Sequence, residues 1–303
     1  MGVSRSGWGA ANVKRWSVQF APALGLLAVQ ILFFGLPAGA WIRGVVLGLL
    51  IALLAVGMAL VYRANREVNF AQADLGFVPT SLAVGLIVFS GLPYLLGFGV
   101  GLTAAVALGA IVELAFVRRF AKASRLVLTV ATIGITQLLA AFALLVPRMW
   151  DQSAASQLIP PPVDWKVTVG TFILSANDLI ALVVAPLAMI GVAVFLGATR
   201  IGTAIRGSAE RSERALMLGI PVAWLSTLVW SIAAGLSFLA LFLRAGILGV
   251  PLGAALSLTA LVQALAALVI GRLRNLPTVA TTAVALGVLE YGVAWNASSP
   301  LLV

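Results

Sequence analysis

A series of about nine apolar runs, separated by short charged, proline-containing or glycine-containing segments, follows the length of the chain. A bilayer-spanning helix needs about 20 predominantly apolar residues. With 62% hydrophobic and only 9% charged residues, the chain cannot cover itself with a hydrated surface. The sequence therefore predicts an all-α, polytopic transmembrane helical bundle of about nine spans (eight to ten), in a single transmembrane domain of residues 1–303. The predicted spans are 18–36, 41–62, 75–92, 94–117, 125–146, 178–197, 222–243, 251–270 and 277–295.

Three of these segments differ from a plain apolar span. The run 75–92 is short and contains Pro79 and Gly85, so it is either a full span or a broken or partly re-entrant helix. The run 251–270 begins with a proline and is rich in alanine and glycine. Residues 1–40 form an extra N-terminal segment and span, but Lys14-Arg15, an apolar run and Ala38-Gly39-Ala40 also fit a signal peptide. We favour a retained span because the apolar run is long for a signal peptide.

The basic residues predict the orientation. Fifteen of the 19 lysines and arginines fall on one side of the predicted spans, whereas Arg43, Arg148, Lys166 and Arg244 fall on the other. The positive-inside rule then predicts a cytoplasmic N-terminus, an external C-terminus and an odd number of spans. The clustering of basic residues between apolar runs is explained by membrane orientation, so the net charge of +10 does not indicate nucleic-acid binding.

The residue types that the chain lacks exclude several kinds of chemistry. There is no cysteine and no histidine, so thiolate, disulfide, Cys/His zinc and imidazole acid–base sites are excluded. The sequence also has no G-x-x-x-x-G-K-[ST] phosphate-binding loop. We therefore expect no catalytic site, metal or cofactor in this chain, and any ATP would be used by other subunits.

Two loops are long enough to have a function. In the predicted cytoplasmic loop 198–221, a short helix is expected from Ser208, its N-cap, to Leu218, with Gly219 and Pro221 ending it. Such a helix lies on the lipid surface or docks into a cytoplasmic partner; charges of both signs and a small apolar area favour docking. The external loop 147–177, with a Pro160–Pro162 turn between tryptophans, is either a ledge at the headgroup level or a plain connector.

Three sequence blocks resemble the permease subunits of bacterial ABC importers, specifically the branched-chain amino acid permease family. TAIRGSAE (203–210) followed by RALMLGI (214–220) is similar to the family's cytoplasmic coupling loop. AVGMALVYR (55–63) with VNFAQAD (68–74) resembles its "LVY … INFAHG" segment, and LGVLE (286–290) resembles its last span. Gln72-Ala73 replaces the family's His-Gly, which leaves the solute undefined by this motif.

The resemblance implies a multi-pass subunit of the bacterial cytoplasmic (inner) membrane that imports a small polar solute, such as a branched-chain amino acid or a related amide or carboxylate. It implies cytoplasmic ATP-binding subunits, a second permease subunit, an external solute-binding protein and the lipid bilayer as partners. It also implies that the coupling loop contacts the ATP-binding subunit through Arg206, Ser208, Ala209, Glu210, Arg211, Glu213, Arg214, Ala215 and Gly219.

Polar side chains inside the apolar runs are candidates for the solute path, because an unpaired polar group in hydrocarbon is costly. They are Asn69, Gln72 and Asp74 before or at the start of the third run, Thr132, Thr136 and Gln137 in the fifth, Gln263 in the eighth and Glu290 in the ninth. Hydrogen bonds to the helix backbone and helix packing are the alternative functions for these residues. The glycine pairs Gly44/Gly48 and Gly97/Gly101 are predicted packing seams, and Glu113 is predicted to pair with Arg118 or Arg119.

Two other classes of function compete with a permease subunit of an ABC importer. A self-sufficient secondary transporter or facilitator would need coupling-ion sites near the midplane, for which only Glu290 is a candidate. An intramembrane enzyme would need histidine, cysteine or paired carboxylates, which the sequence does not offer.

Overall fold

A computed structural model of the protein describes residues 6–120, 123–152, 158–170, 172–210, 212–249, 254–273 and 275–298. Helices dominate this part of the chain, and each of the predicted spans coincides with one helix, so the all-α, polytopic class is confirmed. The helices are α1 (Ser6–Phe33), α2 (Ala38–Asn65), α3 (Gln72–Val88), α4 (Tyr94–Ala115), α5 (Arg125–Leu145), α6 (Ala176–Ala198), α7 (Arg200–Glu210), α8 (Ser212–Met217), α9 (Val222–Leu248), α10 (Ala254–Ile270) and α11 (Leu276–Ser298).

Within the described residues, six helices are long and apolar enough to cross a membrane: α2, α4 with the 3₁₀ turn after it, α5 with its own 3₁₀ turn, α6, α9 and α11. The described apolar parts of α1 and α10 and the whole of α3 are shorter. The count of about nine spans therefore stays a prediction. The third run is not broken, because α3 is one continuous helix through Pro79. Its 17 residues give a length of about 26 Å, which is less than the hydrocarbon thickness of about 30 Å.

The two ends of the bundle differ in structure. At one end, here called the loop end, α6 is followed by the short helices α7 and α8 before α9 begins. This is the end predicted to be cytoplasmic. At the opposite end, here called the hairpin end, β1 (Lys166–Val169) and β2 (Phe172–Ser175) precede α6 as an antiparallel pair.

Helix α2 forms the centre of the bundle. In its most apolar window 89% of the residues are buried, compared with 17% in the corresponding window of α6. It contacts α6, α9, α10 and α11. A helix that is apolar on every side is stable only when other helices surround it, and no charged residue interrupts α2 between Arg43 and Arg63.

The predicted packing function of the glycine pairs is confirmed. A Cβ atom at Gly48 would lie 2.5 Å from the carbonyl oxygen of Val284, and one at Gly44 would lie 3.0 Å from the Cα atom of Val288. Both glycines therefore let α2 and α11 approach closely, as small residues do between membrane helices. At Gly101, an added Cβ would collide with the ring of Phe238, which belongs to an aromatic group between α4 and α9.

Gly48→Ala should therefore lower the stability of the fold. We expect the added methyl group to separate α2 from α11 and to cost about 1–3 kcal/mol, the usual range for overpacking. Gly134→Ala is the matched control, because nothing lies within 4 Å of a Cβ atom there. The stability of both variants is measured as the thermal unfolding midpoint of the purified chain in detergent. Equal midpoints for the two variants would contradict the close α2–α11 contact.

The hairpin end contains structure that the sequence analysis did not predict. The segment VTVGTFILS folds back on itself at Gly170, whose positive φ of 63° suits a turn. Phe172 then packs on Trp295, with 5.0 Å between the ring centroids, and closely against Gly39 of α2. The loop 147–177 is thus anchored to the bundle, and the side chain of Trp165 is exposed.

Ion pairs, together with hydrogen bonds from neighbouring residues to the same carboxylates, hold the two ends of the bundle. At the hairpin end, Arg43 lies 3.2 Å from Asp178, which also caps α6 through Ser175. At the loop end, Arg118 lies 3.1 Å from Glu113, and Thr227 of α9 donates a 2.6 Å hydrogen bond to the same carboxylate. The predicted pairing of Glu113 is confirmed, and its function is to fix the end of α4 to the start of α9.

Candidate functional site

The loop that connects α6 and α9 leaves the bundle at Thr199. The hydroxyl of Thr199 accepts a 2.9 Å hydrogen bond from the backbone N–H of Gly202, which caps the first turn of α7. Ile205 is buried on the face of α7 that packs on the bundle, whereas Gly207 is exposed. The first helix of the loop is therefore seated on the protein rather than free in solution.

Arg66 attaches the loop to the central helix. It follows α2 in the left-handed conformation, with φ 61°, and its backbone N–H donates to the carbonyl of Tyr62. Its Nη2 donates a 2.7 Å hydrogen bond to the carbonyl of Ala209, the penultimate residue of α7. Carbonyls in the last turn of a helix have no N–H partner within that helix, so a guanidinium there satisfies them and the helix dipole together.

Helix α8 ends in a rigid C-terminal turn. The N–H of Ile220 donates to the carbonyl of Ala215, and the N–H of Gly219 donates to that of Leu216. This is the Schellman arrangement, which requires the left-handed conformation that Gly219 adopts with φ 75°. The predicted end of the helix at Gly219 is confirmed.

The same turn exposes an apolar group, Leu216, Met217 and Leu218, which we call the apolar tip. All three side chains are largely exposed, and Met217 is 87% exposed. Three adjacent bulky apolar side chains on a short rigid helix are typical of a contact site for another protein. The apolar area is larger than the sequence predicted, because the prediction assumed one apolar stripe along a single longer helix.

Several predictions for the loop are corrected by the structure. The described loop is helical over Arg200–Glu210 (α7) and Ser212–Met217 (α8), so the helical part begins eight residues before the predicted start at Ser208. Ser208 does not cap a helix start: it lies inside α7, and its hydroxyl donates to the carbonyl of Ile205. Ala215 is only 4% exposed, so it packs within this chain.

The other predicted coupling residues differ in their surroundings. Arg214 is exposed near the apolar tip, Ala209 is half-buried, and Arg206 is half-buried and turned toward a cleft near Arg63. Arg211 lies outside the described residues, as do the side chains of Glu210 and Glu213.

Arg66→Gln should loosen the loop without unfolding the bundle. Loss of a hydrogen bond from a charged donor costs about 1.5–3 kcal/mol, so backbone amides of residues 203–210 should exchange with deuterium about ten to a hundred times faster. Arg200→Gln removes an exposed charge from the same helix and is the control. Hydrogen exchange followed by mass spectrometry measures both. Unchanged protection in the Arg66 variant would contradict the attachment of α7 to α2.

A buried polar cluster joins the start of α3 to the middle of α9. The side chain of Gln72 is 0% exposed, and its Nε2 donates to the carbonyl of Ala233 at 2.9 Å and to the hydroxyl of Ser237 at 2.6 Å. Its Oε1 accepts a 3.1 Å hydrogen bond from Asn69. The oxygen of Asn69 in turn accepts from the backbone N–H of Ala71. Asp74 is also buried, at 1% exposure.

This geometry favours a structural function for Gln72 and Asn69 over the predicted contact with a solute. Each polar atom of the Gln72 amide has a protein partner, so the cluster fixes where α3 begins and how α9 crosses it. Ser237 was not singled out by the sequence analysis. No local pattern could have found it, because it is 165 residues away from Gln72 along the chain.

The threonines of α5 bond to their own helix. Thr132 donates a 2.8 Å hydrogen bond to the carbonyl of Thr129, and Thr136 donates a 3.1 Å hydrogen bond to that of Thr132. The backbone-bonding alternative is thus the one observed for these two residues. Gln137 is exposed on α5 and is the residue of this group whose side chain faces outward.

A polar pair joins α10 and α11, and its carboxylate is exposed. Gln263 of α10 donates a hydrogen bond to the carboxylate of Glu290 of α11, and Glu290 is exposed. Arg244 of α9 lies within electrostatic range of this carboxylate. Charged groups inside apolar helices usually face a partner helix or an aqueous cavity rather than lipid.

The comparisons with known proteins identify the family of the chain. A family model described as "Branched-chain amino acid transport system / permease component" matches residues 41–302. The high-affinity branched-chain amino acid transport system permease protein BraD of Pseudomonas aeruginosa is 26% identical over 258 residues, which cover 82% of this chain and 83% of BraD. No solved structure matches the chain.

The family match covers α2 to α11 and leaves α1 outside it. It includes the three sequence blocks and the loop with the apolar tip, so the resemblance seen in the sequence is confirmed. Permeases of this family work with ATP-binding subunits and other transporter components, and they are transport subunits rather than enzymes. The chain therefore belongs to the branched-chain amino acid permease family and is a multi-pass membrane permease subunit of an ABC transporter.

Proposed function

We propose that this permease subunit serves an ATP-driven importer of the bacterial cytoplasmic (inner) membrane. Its solute is a small polar molecule such as a branched-chain amino acid or a related amide or carboxylate. The single observation that best supports this proposal is the seated loop with its exposed apolar tip at the end of the bundle predicted to be cytoplasmic. The similarity to BraD, a high-affinity branched-chain amino acid transport system permease protein, supports the class of solute.

The loop is connected to two helices of the core, α2 and α9, so a movement of the loop would displace them. Arg66 connects α7 to the end of α2, and α8 continues through the turn at Gly219 into α9. Helices α2 and α9 also contact each other in the core. A displacement of the apolar tip by an ATP-binding subunit would therefore move the helices that hold the centre of the permease. We propose that ATP-driven closure of the ATP-binding subunits switches the pathway by this route.

The outward-facing polar residues support a second permease subunit. Gln137, Gln263 and Glu290 lie on apolar helices, and Gln137 and Glu290 are exposed in the single chain. A carboxylate facing the bilayer centre costs about 2.5–3.5 kcal/mol on insertion scales. We propose that these residues face the other permease subunit and that the solute path runs between the two subunits.

The hairpin end supports contact with an external solute-binding protein. Met149, Trp165 and Ile173 are exposed on the segment that precedes α6, and the hairpin itself is anchored by Phe172. An anchored surface with exposed aromatic and apolar side chains is typical of a protein interface.

This chain would contribute no ATP site, and the nucleotide would be bound by the partner subunits.

ATP-dependent uptake in proteoliposomes tests the proposed function. The complete set of subunits should accumulate radiolabelled solute when ATP is enclosed on the side of the loop end and the solute-binding protein is outside. Leucine, isoleucine, urea, acetamide and aromatic acids are the solutes to compare. Uptake by this chain alone, without ATP-binding subunits, would contradict the proposal and favour a self-sufficient transporter that uses Glu290.

A further inference from the structure

An open cleft of about 420 Å³ lies at the loop end, between α2, α6, α7 and α11. Arg63 from the last turn of α2 and Arg206 from α7 both line it, and the two guanidinium groups lie within electrostatic range of each other. The cleft thus places two positive charges side by side, which favours the binding of an anion.

The start of α11 adds to the positive character of the cleft. Asn275, Leu276 and Pro277 line it at the N-terminus of a 23-residue helix. The first N–H groups of a helix have no partner within the helix, and the positive end of the helix dipole lies there. Together with the two arginines, this arrangement suits a phosphate group.

An apolar groove lies next to the cleft, one helical turn away along α6 and α11. The groove has a volume of about 510 Å³ and lies between α1, α2, α6 and α11. Met189 in the groove is one helical turn from Ala193 in the cleft, and Thr281 in the groove is one turn from Pro277 in the cleft. A ligand that filled both would need a negatively charged head and an apolar tail.

The surface of α6 beside the cleft is also suited to an apolar chain. Val183, Leu187, Ile190 and Val194 are all exposed and recur every three or four residues, so they form one apolar stripe. The stripe ends at the turn of α6 that lines the cleft. A free phosphate ion would use only the arginines, whereas a phospholipid would use the arginines, the groove and the stripe.

We propose that this cleft binds the phosphate headgroup of an anionic phospholipid, with an acyl chain lying in the groove between α1, α6 and α11. Arg63 and Arg206 hold the headgroup. Because Arg206 belongs to α7, the lipid connects the base of the coupling loop to α2 and α11. Anionic lipid thereby stabilises the loop end of the permease, whatever solute the transporter carries.

The purified full chain in detergent tests this proposal with three probes: dioleoyl phosphatidylglycerol, dioleoyl phosphatidylcholine and inorganic phosphate. Phosphatidylglycerol should raise the thermal unfolding midpoint and remain bound in native mass spectrometry, whereas phosphatidylcholine and phosphate should not. Arg63→Gln should weaken retention of phosphatidylglycerol about fivefold, as expected for one arginine near anionic lipid. Arg119→Gln, which removes an exposed charge outside the cleft, should leave retention unchanged.

A groove variant separates the lipid from other anions. Thr281→Trp fills the groove with both arginines in place, and it should reduce retention of phosphatidylglycerol without affecting a free anion. For each variant, the unfolding midpoint with phosphatidylglycerol is compared with the midpoint of the same variant with phosphatidylcholine. A general loss of stability lowers both midpoints and therefore does not affect the difference. Equal retention by the wild type and Arg63→Gln would overturn the proposal. An equal rise of the unfolding midpoint with inorganic phosphate and with phosphatidylglycerol would overturn it too, because the ligand would then be a soluble anion.

Discussion

Replacing Gln72 by leucine should destabilise the permease itself, before any effect on transport. The substitution leaves the carbonyl of Ala233, the hydroxyl of Ser237 and the amide of Asn69 without their shared partner in a fully buried site. Each buried polar group left unsatisfied costs about 1–3 kcal/mol, so we expect a loss of about 2–5 kcal/mol in stability. The yield of folded protein in the membrane and its thermal unfolding midpoint measure this loss.

Gln137→Leu is the matched control for that variant. It makes the same change of residue type on α5 at an exposed position, so the folded protein should be obtained in normal yield. If Gln72→Leu instead folds and assembles like the wild type but no longer transports solute, the structural interpretation is wrong. The assignment of Gln72 to the solute path would then be supported.

Changing Leu216, Met217 and Leu218 together to serine should abolish assembly with the ATP-binding subunit. Burial of one such side chain contributes about 1.5–3 kcal/mol, so the loss of three corresponds to association weaker by at least about a thousandfold. The three side chains are exposed in the isolated chain, and therefore the fold should keep its stability. Co-purification of the ATP-binding subunit and solute-stimulated ATP hydrolysis measure the effect.

Met149→Ser combined with Leu158→Ser is the control for the apolar tip. These side chains are equally exposed and apolar but lie at the hairpin end. The ATP-binding subunit should co-purify with this variant as it does with the wild type. Retention of full, solute-stimulated ATP hydrolysis by the apolar-tip variant would mean that the loop is not the contact site.

The helices were predictable because their signal lies in the sequence itself. An apolar run of about 20 residues bounded by charge or proline indicates a membrane helix. Pro37, Pro93 and Pro221 stand directly before α2, α4 and α9. The hairpin β1–β2 was missed because four-residue strands carry little periodic signal, and the charged and proline-rich sequence before them suggested a connector. The placement of α7 on the bundle depends on the packing of Ile205 and on the hydrogen bond from Arg66 to Ala209, which local propensity does not contain.

The candidate site was only partly predictable for a similar reason. The Gly219 turn follows from the properties of glycine and was found, whereas the attachment of Ala209 depends on Arg66, 143 residues earlier in the chain. Gln72 was recognised as unusual because a polar residue in an apolar context is costly. The sequence could not show that its partners lie on α9 rather than on a solute, since the crossing of α3 and α9 is a property of the tertiary fold.

The central claim is that the apolar tip contacts an ATP-binding subunit, and site-specific cross-linking tests it most directly. The chain has no cysteine, so Met217→Cys introduces a single thiol to which a photoreactive maleimide can be attached. Illumination of the assembled complex should join this chain to the ATP-binding subunit from position 217, and should give no such adduct from Met149→Cys at the hairpin end. Absence of the adduct at position 217 in an assembled complex, or an adduct with the external solute-binding protein there, would contradict the account.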